Sequence, residues 1–208
     1  MRGRGISEIV RLALMVLRGA LYFVLRLQVP QRVAMDRGAR VLGIGNLRLD
    51  GWIKIGAYAT IDARFTTQLR LGRNFSLGDF SIMRCSGAPT FLCPGVIIGD
   101  DVSFGPYCNI GGGYGLNVGA NNLFGPYVSI HPETHVVTDL TMPIRQQGVS
   151  GEGIRIDADN WFGAKSTVLD GVVMGTQNIV AAGALLTKSV YGSRVVLGGL
   201  PARELAKR

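Results

Sequence analysis

The chain has 208 residues, with 22 Lys and Arg against 14 Asp and Glu and a formal net charge of +8. That charge is concentrated: residues 1–48 hold nine arginines against Glu8 and Asp36, a balance of +7, and the remainder is almost neutral. A nucleic-acid binder spreads cations over a folded face, so this placement argues against one; 30 glycines without a Gly-X-Y period and 47% hydrophobic residues exclude collagen and disorder.

Residues 6–29 come first in chain order and read as an apolar helix ending before Pro30. A spanning helix needs about 20 apolar residues in a row, and Arg11, Arg18 and Arg26 interrupt this one. At 100° per residue Glu8, Arg11 and Arg18 fall near one face, leaving a broad apolar surface beside a narrow basic stripe. Two readings follow, and one helix can serve both. In the preferred one the helix lies in a membrane interface with its arginines reaching anionic headgroups; this predicts a cytoplasmic protein held peripherally at the inner face of the cytoplasmic membrane. In the other it caps the open end of the body. A secretory signal is disfavoured, because no small-residue cleavage site follows and Pro30 opens a basic stretch instead.

The body carries a six-residue repeat. Large apolar residues recur at Leu49, Ile55, Ile61; Leu71, Leu77, Met83; Ile98, Phe104, Ile110; Val118, Phe124, Ile130; and Ile156, Phe162, Val168, Met174, Val180, Leu186. The residue that follows is usually Gly, Ala or Asp. Neither alternation nor a helical period gives this spacing. A short strand followed by a sharp corner does, with one inward side chain per hexad and a small residue where the backbone turns. Three hexads make one triangular coil, and stacked coils bury a continuous apolar column. The expected fold is an all-β solenoid of about six coils between residues 49 and 191. The expected organisation is an N-terminal helix and linker (1–40) followed by the repeat domain (41–208), which ends in a C-terminal tail.

Function in a solenoid collects where the repeat breaks. Residues 84–96 form one break, with Cys85, Pro89, Cys93 and Pro94, and the Ile110-Gly-Gly-Gly-Tyr-Gly segment a small second. The third, 131–153, contains both histidines of the chain, His131 and His135. A loop this long in a compact domain is ordinarily functional. Two histidines and scattered acids do not supply three or four metal ligands at a useful spacing. The three cysteines, Cys85, Cys93 and Cys108, are odd in number and form no CxxC pair, as expected of free thiols in a reducing compartment. None has an evident partner base for nucleophilic work.

Ile98-Gly-Asp-Asp-Val-Ser, Phe162-Gly-Ala-Lys-Ser-Thr, Met174-Gly-Thr-Gln-Asn-Ile and the ending Gly198-Gly-Leu-Pro-Ala-Arg203 resemble the hexapeptide-repeat acyltransferases, in particular their sugar O-acetyltransferase branch. The resemblance covers about residues 41–208. It implies a left-handed parallel β-helix, a homotrimer with active sites between subunits, and acetyl-CoA as co-substrate. It also implies roles. His135 on the arm is the general base, an imidazole being able to take a hydroxyl proton near neutral pH, with Glu133 or Asp139 as candidates to orient it; His131 lies directly after an inward Ile. Asn109 and His131 contact the acceptor. Trp161, Gly163, Ala181 and Ala182 line the pantetheine groove, and Lys188 and Arg203 meet the CoA phosphates. Gly199 stands where the family more often has Val or Asn.

The expected function is transfer of acetyl to a hydroxyl of a sugar in surface polysaccharide or glycolipid assembly. The alternatives are a soluble acetyltransferase for a free sugar or small xenobiotic, and a non-catalytic β-helix that scaffolds a partner.

Overall fold

The computed structural model describes residues 6–25, 32–86 and 91–208. Arg26 and residues 27–29 of the expected helix, and Pro89 of the first loop, lie outside the described residues.

The hexads fold as strands of two or three residues; on the first and third faces the outer positions point inward and the middle one outward, as in Ile53–Ile55 and Leu69–Leu71, whereas on the second face the middle residue points inward, as in Ile82–Arg84 and Ser129–His131. Each strand pairs in parallel with the strand one turn earlier, Ile61 on Val41 and Leu77 on Ile55, for example. This builds three sheets, the faces of a triangular prism: a first face of nine strands, a second of seven and a third of seven. The fold is the left-handed parallel β-helix, an exception to the usual hand of parallel crossovers. Of the eighteen apolar positions in the repeat, seventeen are buried, and Leu49 is half-buried. Phe104, Phe124 and Phe162 stack up the interior with ring centroids 4.3 and 4.4 Å apart.

The prism has seven turns, one more than the hexads suggest. The additional turn is the first, residues 33–49, whose Val33, Met35, Val41 and Leu47 join the core. It escapes the six-residue count because a 3-10 turn, Ile44–Asn46, adds two residues between the inward Val41 and Leu49. At the corners successive turns approach so closely that a side chain would not fit: a Cβ on Gly72 would strike the backbone of Gly99, and one on Gly78 the backbone of Gly105. Much of the glycine excess is explained there.

One helix, α1 (Ile6–Val24), lies against the first turn. Its Met15, Gly19 and Phe23, four residues apart, are buried. Gly19 is required, because a Cβ there would collide with the Val33 carbonyl. The Tyr22 hydroxyl donates to the Val41 carbonyl (2.8 Å) and accepts from the Val41 amide (2.9 Å). Arg11 reaches the Asp36 carboxylate at 2.5 Å, with Arg18 at 3.4 Å. The helix therefore caps the prism. No described helix is long and apolar enough to cross a membrane.

The final strands, Val195–Gly199 and Ala202–Lys207, pair antiparallel and close the other end of the first face.

Candidate active site

The long break between Ile130 and Ile156 becomes an arm standing off the fifth turn. Its stem is a two-residue antiparallel ladder, Thr134–His135 against Val149–Ser150, with His135 opposite Val149. The stem is braced from below: the Tyr114 hydroxyl donates to the Val149 carbonyl (2.7 Å), the Asp170 carboxylate accepts from the Glu152 and Gly153 amides (2.9–3.0 Å), and Lys188 forms an ion pair with Glu152. The tip is tied by Gln147, whose amide nitrogen donates to the Asp139 and Met142 carbonyls (2.7 and 2.8 Å). An insertion bound at both ends in this way presents its side chains at fixed positions.

His135 projects from this stem and is exposed. His131 behaves differently. It ends the strand Ser129–His131 on the outer side of the second face, is half-buried, and its Nε2 lies 2.6 Å from the Ser129 hydroxyl. Asn109 is the register partner of Ser129 one turn below. The structure therefore groups Asn109, Ser129 and His131 on one face, with the arm rising two residues further on. Ser129 was not foreseen in the sequence; its signal is its position directly above Asn109 in the repeat. Neither candidate orienting carboxylate bonds the His135 ring. Asp139 accepts from the Thr141 amide and hydroxyl, which hold its carboxyl below the usual range, and Glu133 packs over Gly113. A groove of about 350 Å³ runs along the root of the arm over the third face, with Tyr114, Asn117, Glu152 and Arg155 in its walls.

The expected cofactor residues divide into two groups. Trp161 is half-exposed on the first face between Leu123 and Ile179 of the adjoining turns. Gly163, Ala181 and Ala182 lie round the corner leading to the second face. A Cβ on Gly163 would come within 2.5 Å of the Ala182 nitrogen, whereas one on Gly183 would meet open space. Lys188 and Arg203 sit apart from these, lining an end cavity of about 480 Å³ between Tyr191 and the last strands. Lys188 carries its ion pair with Glu152 there, and Arg203 donates to the Ala202 carbonyl.

The three cysteines are free and buried. Cys108 packs as a small apolar residue, its thiol 3.3 Å from the Gly125 carbonyl and pushed up to about 11 by burial. Among the described residues no group of three or more His, Cys, Asp or Glu side chains is placed to hold a metal.

No family model matches the chain. Among curated proteins it is 26% identical over 141 residues to the "Probable acetyltransferase" of Mycobacterium tuberculosis, covering 68% of this chain and 45% of that one. It is 34% identical over 82 residues to the galactoside O-acetyltransferase of Lactococcus lactis, 39% of this chain and 38% of the relative. The chain thus spans less than half the length of either. Among solved structures it superposes on the N-acyltransferase AntD of Bacillus cereus with a TM-score of 0.58 at 16% identity, covering 83% and 85% of the two chains. The polysialic-acid-specific acetyltransferase NeuO gives 0.54 at 17%, covering 85% and 87%. At such identities the likeness is one of fold. Repeat, coil and curated similarity agree: the chain has the fold of these acyltransferases and is similar in sequence to acetyltransferases.

Proposed function

We propose that this chain is an acetyl-CoA-dependent O-acetyltransferase acting on a sugar hydroxyl, with His135 as general base. The observation that carries the reading is the braced arm: the interruption at 131–153 is held at root and tip, and it offers an exposed imidazole four residues beyond the end of the strand that bears Ser129 and His131, with Asn109 one turn below. A sugar hydroxyl is a poor nucleophile until its proton is removed during attack, and a positioned histidine accelerates that step by about 10²–10⁴-fold. When bound, acetyl-CoA supplies the acyl group already activated as a thioester, so no nucleophile from the chain is required. The buried thiols are consistent with this.

The corner at Ala181, Ala182 and Gly183 fits the pantetheine arm. Ala182 and Gly183 are exposed, the space outside Gly183 is open, and Trp161 flanks it on the adjoining face. Lys188 and Arg203 at the end cavity would meet phosphate; for Lys188 this means exchanging its carboxylate partner. In support, the relatives include a galactoside O-acetyltransferase, a polysialic-acid acetyltransferase shares the fold, and the AntD neighbour was solved with dTDP and coenzyme A. We also propose the homotrimer that the resemblance implies. Val137, Leu140 and Ile144 near the tip of the arm are more than half exposed, as suits a segment that reaches over a neighbouring subunit.

One observation favours a second reading of the base. His131 has a hydroxyl partner at 2.6 Å on a rigid strand, whereas His135 has none. The two separate by mutation. Under the leading reading His135→Ala loses about 10²-fold or more in kcat, while His131→Ala raises KM for the acceptor and leaves kcat within about tenfold. The function itself is tested by thiol release from acetyl-CoA, which should depend on an added oligosaccharide or glycolipid acceptor. Thermal stabilisation by CoA with no release on any acceptor would support a scaffold instead.

A further inference from the structure

We infer that α1 docks the first turn of the prism onto the surface of an anionic phospholipid bilayer, through the helix face turned away from the coil. The helix divides into three strips. Met15, Gly19 and Phe23 face the prism and are buried. Arg11 and Arg18 lie along one flank and are drawn down to Asp36 of the first turn, so they are not the headgroup ligands that the sequence alone suggests. The strip opposite the prism is Val10, Leu14, Leu17, Leu21 and Val24 at helical spacing, between 45% and 63% exposed, with Ile9 and Leu25 beside it. No polar side chain interrupts it. An unbroken row of this kind on a helix already fixed to its own domain has no task in capping.

Two further features say what covers it. The first turn exposes Arg37, Arg40 and Arg48, and its one acid, Asp36, is taken up by the helix arginines, so the collar around α1 is cationic. On the other flank an apolar groove of about 530 Å³ separates the helix from the first face, lined by Leu12, Val16, Ala34 and Phe75, with the half-exposed Trp52 and Lys54 at its mouth. An apolar helix face, a tryptophan at its margin and a ring of arginines match the layers of a bilayer interface: acyl chain, interfacial belt and anionic headgroup. A second copy of this chain would bring a like-charged collar against itself. The helix lies on the surface, since no described helix can span.

The test is co-sedimentation of the full chain with vesicles of phosphatidylcholine alone and of phosphatidylcholine with phosphatidylglycerol, comparing wild type with Leu17→Asp/Leu21→Asp and with Arg37→Glu/Arg40→Glu. Neither pair touches the core, and equal unfolding temperatures establish that both variants fold. The wild type should bind the anionic vesicles, the Asp pair at least about tenfold more weakly, and the Glu pair should lose the preference for anionic lipid. Absence of wild-type binding to anionic vesicles, or binding indifferent to the Asp pair, overturns the proposal. So does a smaller oligomer on light scattering of the Asp pair, which would assign the strip to a second copy. Acetyl transfer to a soluble acceptor is read separately, so a failure here leaves the proposed chemistry standing.

Discussion

Several residues in this prism carry strain that their neighbours offset. Tyr58, Phe80, Tyr107 and Tyr127 each sit three positions after an inward residue, with φ between 56 and 60°. A left-handed conformation costs a non-glycine residue about 1–2 kcal/mol. Their rings stack in a ladder up one corner with centroids 5.4, 5.1 and 4.9 Å apart, and each such contact contributes about 0.5–1.5 kcal/mol. The two effects are comparable, which leads to an ordering. Tyr107→Ala loses two stacking contacts and keeps the strain, whereas Tyr107→Gly loses the contacts and relieves it. The glycine variant should unfold at the higher temperature, and the reverse order would mean that the left-handed backbone at Tyr107 carries no strain for the ladder to offset. At a different corner Asn122, Asn160 and Asn178 form a buried column. The Asn122 side-chain oxygen accepts from the Asn160 amide (3.0 Å), that of Asn160 from the Asn178 amide (2.9 Å), and that of Asn178 from the Val195 amide (3.0 Å). Asn160→Ala leaves several of these groups unpaired, and calorimetry should find a loss of about 2 kcal/mol or more, roughly 4–8 °C in Tm.

At the scale of elements, sequence and structure part company most at α1. Its helicity and its apolar surface were legible from residues 6–29. The partner of its arginines was not, because Asp36 is brought to Arg11 only when the first turn closes. The Arg11 guanidinium holds the Asp36 carboxyl below its usual range. With the folded value lower than the unfolded one of ~3.9, the ionised carboxylate stabilises docking fully above that pH, and the stabilisation is lost as pH falls through the folded value. Protection of the α1 amides, relative to their intrinsic exchange rate at each pH, should therefore fall on acidification from pH 6 to 3 more than that of the seventh turn. Asp36→Asn should show weak α1 protection already at pH 6 and little further change; an unaltered pH profile of protection would contradict this. The arm repeats the lesson. Its existence follows from the missing hexads, but its bracing by Tyr114, Asp170 and Lys188 depends on residues from three other parts of the chain.

For the whole molecule, the fold was legible because one period dictates it: a large residue every six, a small one after it, and close stacking that admits nothing larger. The first turn was hidden by two extra residues at the Ile44–Asn46 3-10 turn, and the ladders by outward positions that the inward pattern does not mark. Of the candidate site, His135, His131 and Asn109 are expectations from the break and the resemblance; the structure puts Asn109 and His131 on one face with Ser129 and leaves His135 on the arm. The residues expected to meet CoA divide between a corner and an end cavity, since each lands wherever its turn places it. The central claim, that the arm delivers a general base to an acyl-transfer site, is tested most directly by acceptor-dependent thiol release from acetyl-CoA with wild type and His135→Ala side by side, each also examined for thermal stabilisation by CoA. His135→Ala should keep its CoA stabilisation and lose about 10²-fold or more of turnover; near-native turnover by that variant would contradict a general-base role for His135.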